Sequence, residues 1–190
     1  MKNNARVVVI GGGVVGVSTL YHLVKKGWTD CVLIERKELT SGSTWHAAGL
    51  LPLFNMSYSV GQIHKYSVDL YGRLEEETGQ YAGLSRVSNI RLATTQDRMD
   101  EYKQYAGVAQ TIGVQVDILT PDEVVDIWPL AVKDNLIGAI RHPMDGYIQP
   151  ADLTQALAKG ARDIGGQIYR NTNVTAITLT PSGEWKVTTD

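Results

Sequence analysis

Two spacings of apolar positions alternate along the chain, and their order predicts an α/β fold. Residues 5–10 close on the β-branched run Val7-Val8-Val9-Ile10, the pattern of a strand buried on both faces of a parallel sheet. Val14 to Lys26 follows as a mostly buried helix with Val17, Leu20, Leu23 and Val24 apolar, Lys25 and Lys26 at its negative end, and Gly27 as its stop. Cys31 to Ile34 is a second buried strand. Ser59 to Gly79 carries a helical stripe of Val60, Ile63, Tyr66, Leu70 and Leu74, with Glu75 to Glu77 solvated near its end. Asn89 to Thr95 reads as a strand, and Arg98 to Gly113 as a helix with Met99, Tyr102, Ala106 and Ala109 inside. Thr120-Pro121-Asp122-Glu123 is a capping box with proline at the first helical position, and Trp128-Pro129 ends that short helix. Leu136 to Arg141 is a strand running into the turn residues Pro143 to Gly146. Ala151 to Ile164 returns to an amphipathic helix through Leu153, Leu157, Ala161 and Ile164. A strand at Gln167 to Arg170 and a hairpin, Val174 to Leu179 and Glu184 to Thr189 around Pro181-Ser182-Gly183, complete the pattern. The chain stops at Asp190 on an outgoing strand, which predicts that it is a piece of something longer.

The link between the first strand and first helix carries chemistry. Gly11-Gly12-Gly13-Val14-Val15-Gly16 satisfies G-x-G-x-x-G at Gly11, Gly13 and Gly16. Gly11 serves the tight turn, Gly13 the close approach of a pyrophosphate, and Gly16 the packing of helix on strand. Alone the triplet is a weak signal; here strand, triplet, helix, strand and the acidic Glu35 occur in order. A carboxylate at that place accepts hydrogen bonds from an adenosine ribose and repels the 2′-phosphate of NADP, which leaves FAD and NAD. Arg36 weakens the exclusion of NADP slightly, although a plain surface arginine is the simpler account.

A nicotinamide enzyme would continue into alternating strands and helices. The chain instead runs Ser41-Gly42-Ser43-Thr44-Trp45-His46-Ala47-Ala48-Gly49-Leu50, small and hydroxylated. Ser43 or Thr44 is placed to cap a short helix whose amides and hydroxyls face a phosphate or ribityl chain, and Gly49 lets backbone approach a flat ring. Trp45 reads as core or as a wall of the cofactor tunnel. An ordinary capped helix is the bland alternative.

Taken together, the glycine triplet, Glu35, Leu39-Thr40-Ser41-Gly42-Ser43-Thr44-Trp45-His46-Ala47-Ala48-Gly49, Leu74-Glu75-Glu76-Glu77-Thr78-Gly79 and Ile90-Arg91-Leu92-Ala93-Thr94-Thr95 resemble the dimethylglycine and sarcosine dehydrogenase family. That family belongs to the D-amino-acid-oxidase-like FAD enzymes, and the resemblance runs through essentially the whole chain. It implies an FAD-binding Rossmann-like domain of glutathione-reductase type with an inserted α+β substrate portion. Residues 1–41 and 150–190 would form the discontinuous FAD domain, and 42–149 a flavin-contacting segment and the first part of the substrate domain. It implies FAD held covalently through His46 by the 8α carbon. The cofactor-contacting set is then Gly11, Gly13, Val14, Val15, Gly16, Glu35 and Arg36, followed by Gly42, Ser43, Thr44, His46, Ala47, Ala48, Gly49 and Leu50, with Val174 on the adenine side. The implied reaction is demethylation of an N-methylated glycine by hydride transfer to flavin N5, with electron-transfer flavoprotein or oxygen as acceptor. Tetrahydrofolate would bind a C-terminal region outside this sequence, and the catalytic residues would also come mostly from beyond Asp190. A non-covalent amine or D-amino-acid oxidase, or a non-catalytic FAD-binding module of a larger oxidase, are the alternatives.

Composition adds exclusions. With 18 basic and 20 acidic residues scattered along 190, net charge is −2, and no field exists to steer nucleic acid. Cys31 is the single cysteine and lies in an apolar run, so it reads as a small buried hydrophobe in a reducing, cytoplasmic setting. No run approaches the roughly 20 apolar residues of a membrane span. His22, His64 and His142 share no ligand spacing, so no metal site is expected. His142 and Tyr147 are candidates to line a pocket, with core or surface roles the simpler reading.

Overall fold

A computed structural model describes residues 2–190, and these fall into two compact units. The first comprises residues 2–49, 73–83 and 148–190; the second comprises 50–72 and 84–147.

In the first unit, β1 (Val7–Ile10) pairs in parallel with β2 (Cys31–Ile34), and β2 with β9 (Gln167–Tyr169), giving the order β1-β2-β9. Parallel neighbours need crossovers, and α1 (Val14–Lys25) supplies the one between β1 and β2. The four residues of β2 are all buried, as their apolar run requires. β1 is only half-buried, and Ile10 is 47% exposed, because β1 has a single strand partner here; the expected burial on both faces holds for β2 alone. Cys31 is buried, and burial raises its thiol pKa, so it is an inert packing group. The helix α5 (Pro150–Asp163) buries Leu153, Ala156, Leu157 and Ala161. A Cβ on Gly160 would lie 2.8 Å from Tyr21 Cε2, so that glycine lets α5 close on α1. Ile164, expected on the inner face, follows the helix end and is exposed. The hairpin of β10 (Val174–Leu179) and β11 (Trp185–Thr189) follows, with a bulge between Val174 and Ala176. A groove of about 1030 Å³ lies between it and the sheet, lined by Val8, Ile34, Ile177 and Trp185 among others, and Ile10 in its wall adjoins the glycine turn described below.

Glu77 is more than the solvated charge its sequence suggests. It accepts hydrogen bonds from Tyr21 Oη at 2.5 Å, Lys25 Nζ at 2.6 Å and Arg73 Nε at 2.8 Å. Lys25 chiefly, then Tyr21, hold its pKa down to about 2. Its stabilisation is therefore present above the ordinary value of 4.5 and is lost as pH falls toward 2. The side chain is 28% exposed, so solvent screening trims the effect. Glu77→Gln should cost about 1 kcal/mol at pH 7 and much less at pH 2, read from urea midpoints at both values.

The second unit is antiparallel. β7 (Gly138–His142) runs between β5 (Asn89–Ala93) and β6 (Asp117–Leu119), with Leu92 opposite Ala139. The helix α3 (Gln96–Ile112) is capped by the Thr95 hydroxyl and stopped by Gly113 at φ +81°. It presents Met99, Tyr102, Tyr105, Ala109 and Ile112 to the core; Tyr105, not Ala106, occupies the middle of that face. The capping box expected at Thr120 and Glu123 heads α4 (Pro121–Ile127). β8 (Gly146–Ile148) lies between β3 (Leu50–Leu51) and β4 (Leu84–Arg86). The helix α2 (Tyr58–Thr78) begins in this unit, where it buries Val68 and Leu70, and its residues from Arg73 on, with the buried Leu74, belong to the first. The upper part of its expected stripe is turned outward, with Ile63 at 65% exposure.

His142 belongs to the core. It is fully buried, its Nε2 lies 3.3 Å from Tyr105 Oη, and its ring meets Phe54 edge-on. Burial, aided by the charge of Arg91, lowers its pKa to about 4. Asp145, three residues on, is also buried, and desolvation pushes its carboxyl up to about 6.

Candidate cofactor site

The site begins at the carboxyl end of β1, where an open α/β sheet receives its ligands. Gly11 turns the chain at φ +111°, a region closed to residues with a Cβ, and its N–H donates to Ile34 O at 2.9 Å. Gly16 lies directly over that turn: a Cβ there would be 2.0 Å from Gly11 O. Gly12 is equally confined, since its Cβ would stand 2.7 Å from Leu39 Cδ2 and 2.8 Å from Glu35 Cβ. Its N–H donates to Glu35 Oε2 at 2.6 Å, and Lys37 N–H donates to Oε1 at 2.8 Å. Glu35 is thus fixed by two backbone amides at the lip of the turn. A carboxylate has about four acceptor positions, so two of these stay available for ribose hydroxyls.

α1 starts here with Gly13 as N-cap, no side-chain cap at that residue and no acidic residue in its first turn. The positive end of a twelve-residue helix therefore meets the glycine turn, an arrangement that suits a pyrophosphate.

The Gly42 to Gly49 segment folds differently from the capped helix its sequence suggests. Ser43–His46 is a single 3₁₀ turn, and Gly42 at its N-cap makes no side-chain cap. The hydroxyl of the buried Thr44 serves α1 instead, accepting the Val14 N–H at 3.0 Å. Thr40, at φ +72°, donates its N–H to Gly12 O at 3.0 Å and accepts from Trp45 N at 3.2 Å. A β-branched residue in the left-handed region is strained, and the Thr40 hydrogen bond to Gly12 O, which ties the second segment to the first, is made in that conformation. The expectation that Trp45 is core fails: it is 68% exposed, as is Val15 at 78% on the first turn of α1. Large apolar side chains held out beside a polar turn fit an aromatic cofactor better than they fit water. Ser43, Ala47 and Ala48 are likewise exposed.

His46 closes the turn. Its Nδ1 lies 3.1 Å from Gly42 O, and a carbonyl can only accept, so Nδ1 carries the proton. In the neutral ring Nε2 then bears the lone pair, on an exposed imidazole. Gly49, at φ +73°, accepts the Ile148 N–H at 2.8 Å, and a Cβ there would lie 2.0 Å from Ile148 O. Leu50 opens β3 in the second unit and is 70% exposed.

Within the first unit the structure thus gathers Gly11, Gly13, Val14, Gly16, Glu35 and Thr44 around one turn, with His46 two residues beyond Thr44. Val174 starts β10, and the chain leading to it is tied to the same place, Thr172 N–H donating to Glu35 O at 3.0 Å. Arg36 is exposed beside Glu35. Sequence reasoning missed Gly12 and Thr40. For Gly12 the signal was three consecutive glycines where the signature needs only two; for Thr40 there was none, since its φ is set by contacts. Among the described residues no three His, Cys, Asp or Glu stand together as a metal ligand set, and no helix is long and apolar enough to cross a membrane.

Known proteins resemble the chain along its whole length. It is 44% identical to the mitochondrial dimethylglycine dehydrogenase of Rattus norvegicus over 188 residues, 99% of this chain and 22% of that protein. It is 38% identical over 186 residues to the mitochondrial pyruvate dehydrogenase phosphatase regulatory subunit of Mus musculus, 98% of this chain and 21% of that one. The crystal structure of L-proline dehydrogenase from P. horikoshii superposes with a TM-score of 0.89 at 27% identity, over all of this chain and 50% of the other. The chain thus spans about a fifth of the length of these two relatives. The pattern of the FAD-dependent oxidoreductases (DAO) matches residues 6–190, and with the glycine turn, the backbone-held Glu35 and the 3₁₀ turn in place, the chain belongs to that family.

Proposed function

We propose that the chain is the cofactor-binding part of an FAD-dependent dehydrogenase that demethylates an N-methylated glycine such as dimethylglycine or sarcosine, with the flavin attached to His46. One observation carries the reading: a strained, hydrogen-bonded segment tied to the dinucleotide turn ends in an exposed histidine whose Nε2 is left with its lone pair. The residues fit the cofactor, because Glu35 keeps two acceptor positions for ribose hydroxyls and the N-terminus of α1, one amide of which is taken by Thr44, has no acidic residue in its first turn to repel a pyrophosphate. Gly11 to Gly16, including Val14 and Val15, would hold the pyrophosphate, Glu35 the ribose and Val174 the adenine side. Gly42 to Leu50 would face the flavin, with Nε2 of His46 meeting the 8α carbon. When bound, FAD supplies the hydride acceptor. The chain's own residues bind and orient it; the second unit would begin the substrate domain. The electron acceptor, electron-transfer flavoprotein or oxygen, and a tetrahydrofolate-binding region belong to the same proposal for the whole protein.

After acid precipitation, flavin absorbance should remain with the protein and be lost to the supernatant in His46→Ala; colour wholly in the supernatant of the unaltered protein would overturn the attachment. The similarity to a phosphatase regulatory subunit favours a second reading, a non-catalytic flavin-binding module. Anaerobic mixing of the full-length protein with dimethylglycine and sarcosine separates the two, since bleaching of the flavin by either amine excludes the module.

A further inference from the structure

The stretch Asp145-Gly146-Tyr147-Ile148 pairs residue by residue with the chain that leaves the His46 turn. Ile148 N–H donates to Gly49 O at 2.8 Å, Tyr147 is registered against Leu50 and Gly146 against Leu51. The row ends on a side chain: Leu53 N–H donates to Asp145 Oδ1 at 2.9 Å across 92 residues of sequence. Leu53 is also held from its other side, because Tyr105 Oη donates to Leu53 O at 3.0 Å. A tyrosine hydroxyl has one proton, so His142 Nε2, 3.3 Å from the same oxygen, is the donor to it. Asp145, Tyr105 and His142 are 1%, 0% and 0% exposed, and all lie in the second unit with Leu53. The backbone of Asp145 is engaged too, through its N–H to His142 O and its carbonyl to Ser88 N.

An acid in this place is expensive. Its Oδ2 has no partner, and neither has Nδ1 of His142. An asparagine or an apolar side chain would avoid the cost of a buried carboxylate. A polar group retained against that cost marks a place where geometry matters more than stability.

We propose that Asp145 is a positioning residue for the end of the flavin segment: with Tyr105 it clamps both backbone groups of Leu53, and the pairing of Gly146 with Leu51 and of Tyr147 with Leu50 carries that register to Leu50. The clamp acts through the backbone and touches no reacting atom. The proposal rests on the reading of Gly42 to Leu50 as flavin-facing, and its test has an arm independent of that reading.

Amide hydrogen exchange, followed by mass spectrometry on peptides covering residues 49–55, tests the clamp directly. Asp145→Ala should raise exchange there roughly tenfold or more while peptides of α3 and of β5 change little. Asp145→Asn, which keeps an acceptor oxygen, should restore the unaltered rate, and Tyr105→Phe should raise it by a smaller factor. In the flavin arm, Asp145→Ala should lower the share of flavin retained after acid precipitation several-fold and Asp145→Asn should not. Unchanged exchange at 49–55 in Asp145→Ala, or an equal rise throughout residues 84–147, would overturn the clamp. Raised exchange with an unchanged share of retained flavin would confine Asp145 to local structure and overturn its positioning role. If the unaltered protein retains no flavin in acid, the attachment to His46 fails, while the exchange arm still decides whether Asp145 sets this register.

Discussion

Gly16→Ala should unfold the cofactor site. The added carbon would stand 2.0 Å from Gly11 O, a backbone atom at the tightest point of the turn, so neither side can yield without lifting α1 off β1. Overpacking against backbone of this severity costs about 3 kcal/mol or more, and the protein should emerge from gel filtration without flavin. Gly11→Ala makes the instructive contrast. Nothing lies within 4 Å of its Cβ position, and only the φ of +111° opposes it. The penalty there is backbone strain of about 1–2 kcal/mol, with flavin binding weakened and not abolished. Thermal midpoints and the flavin-to-protein absorbance ratio of the two variants measure both effects. Equal losses in the two would show that conformation, and not the approach of helix to turn, sets the requirement at Gly16.

The buried pair of the second unit should conceal two opposing pH dependences. Asp145 titrates at about 6 in the folded chain against an ordinary 3.8, so the folded state binds more protons across that window and stability falls as pH rises through it. His142 titrates at about 4 against an ordinary 6.5; there the unfolded state binds more protons, and stability rises with pH. The windows overlap between about pH 4 and 6, where the two slopes largely cancel. Removing one group uncovers the other. Relative to the unaltered protein, Asp145→Asn should gain about 2–3 kcal/mol of stability between pH 4 and 6.5, while His142→Gln should lose a similar amount between pH 4 and 6. Urea midpoints across this range give both slopes, and parallel curves for the two variants would show that burial does not set these titrations.

The local parts of the site were legible in the sequence because local rules govern them. The order strand, glycine triplet, helix, strand and acid needs only short-range geometry, and Gly11, Gly16 and Glu35 stand where that order requires. The Thr120 capping box and the Gly113 stop were readable for the same reason. Periodicity failed where burial depends on what arrives from elsewhere: Ile63 in the α2 stripe is 65% exposed, and Ile164 lies past the end of its helix.

By itself, then, the sequence determined an α/β chain with a dinucleotide turn and marked His46 by resemblance. Only tertiary structure decided that Thr44 caps α1 and not its own turn, that Gly12 seats the Glu35 carboxylate, and that Asp145 reaches back 92 residues to Leu53. The physical reason is that a backbone amide takes whichever acceptor the fold brings to it. Sequence spacing names the acceptors within one turn of a helix or one strand pair, whereas these three come from segments 23 to 92 residues away.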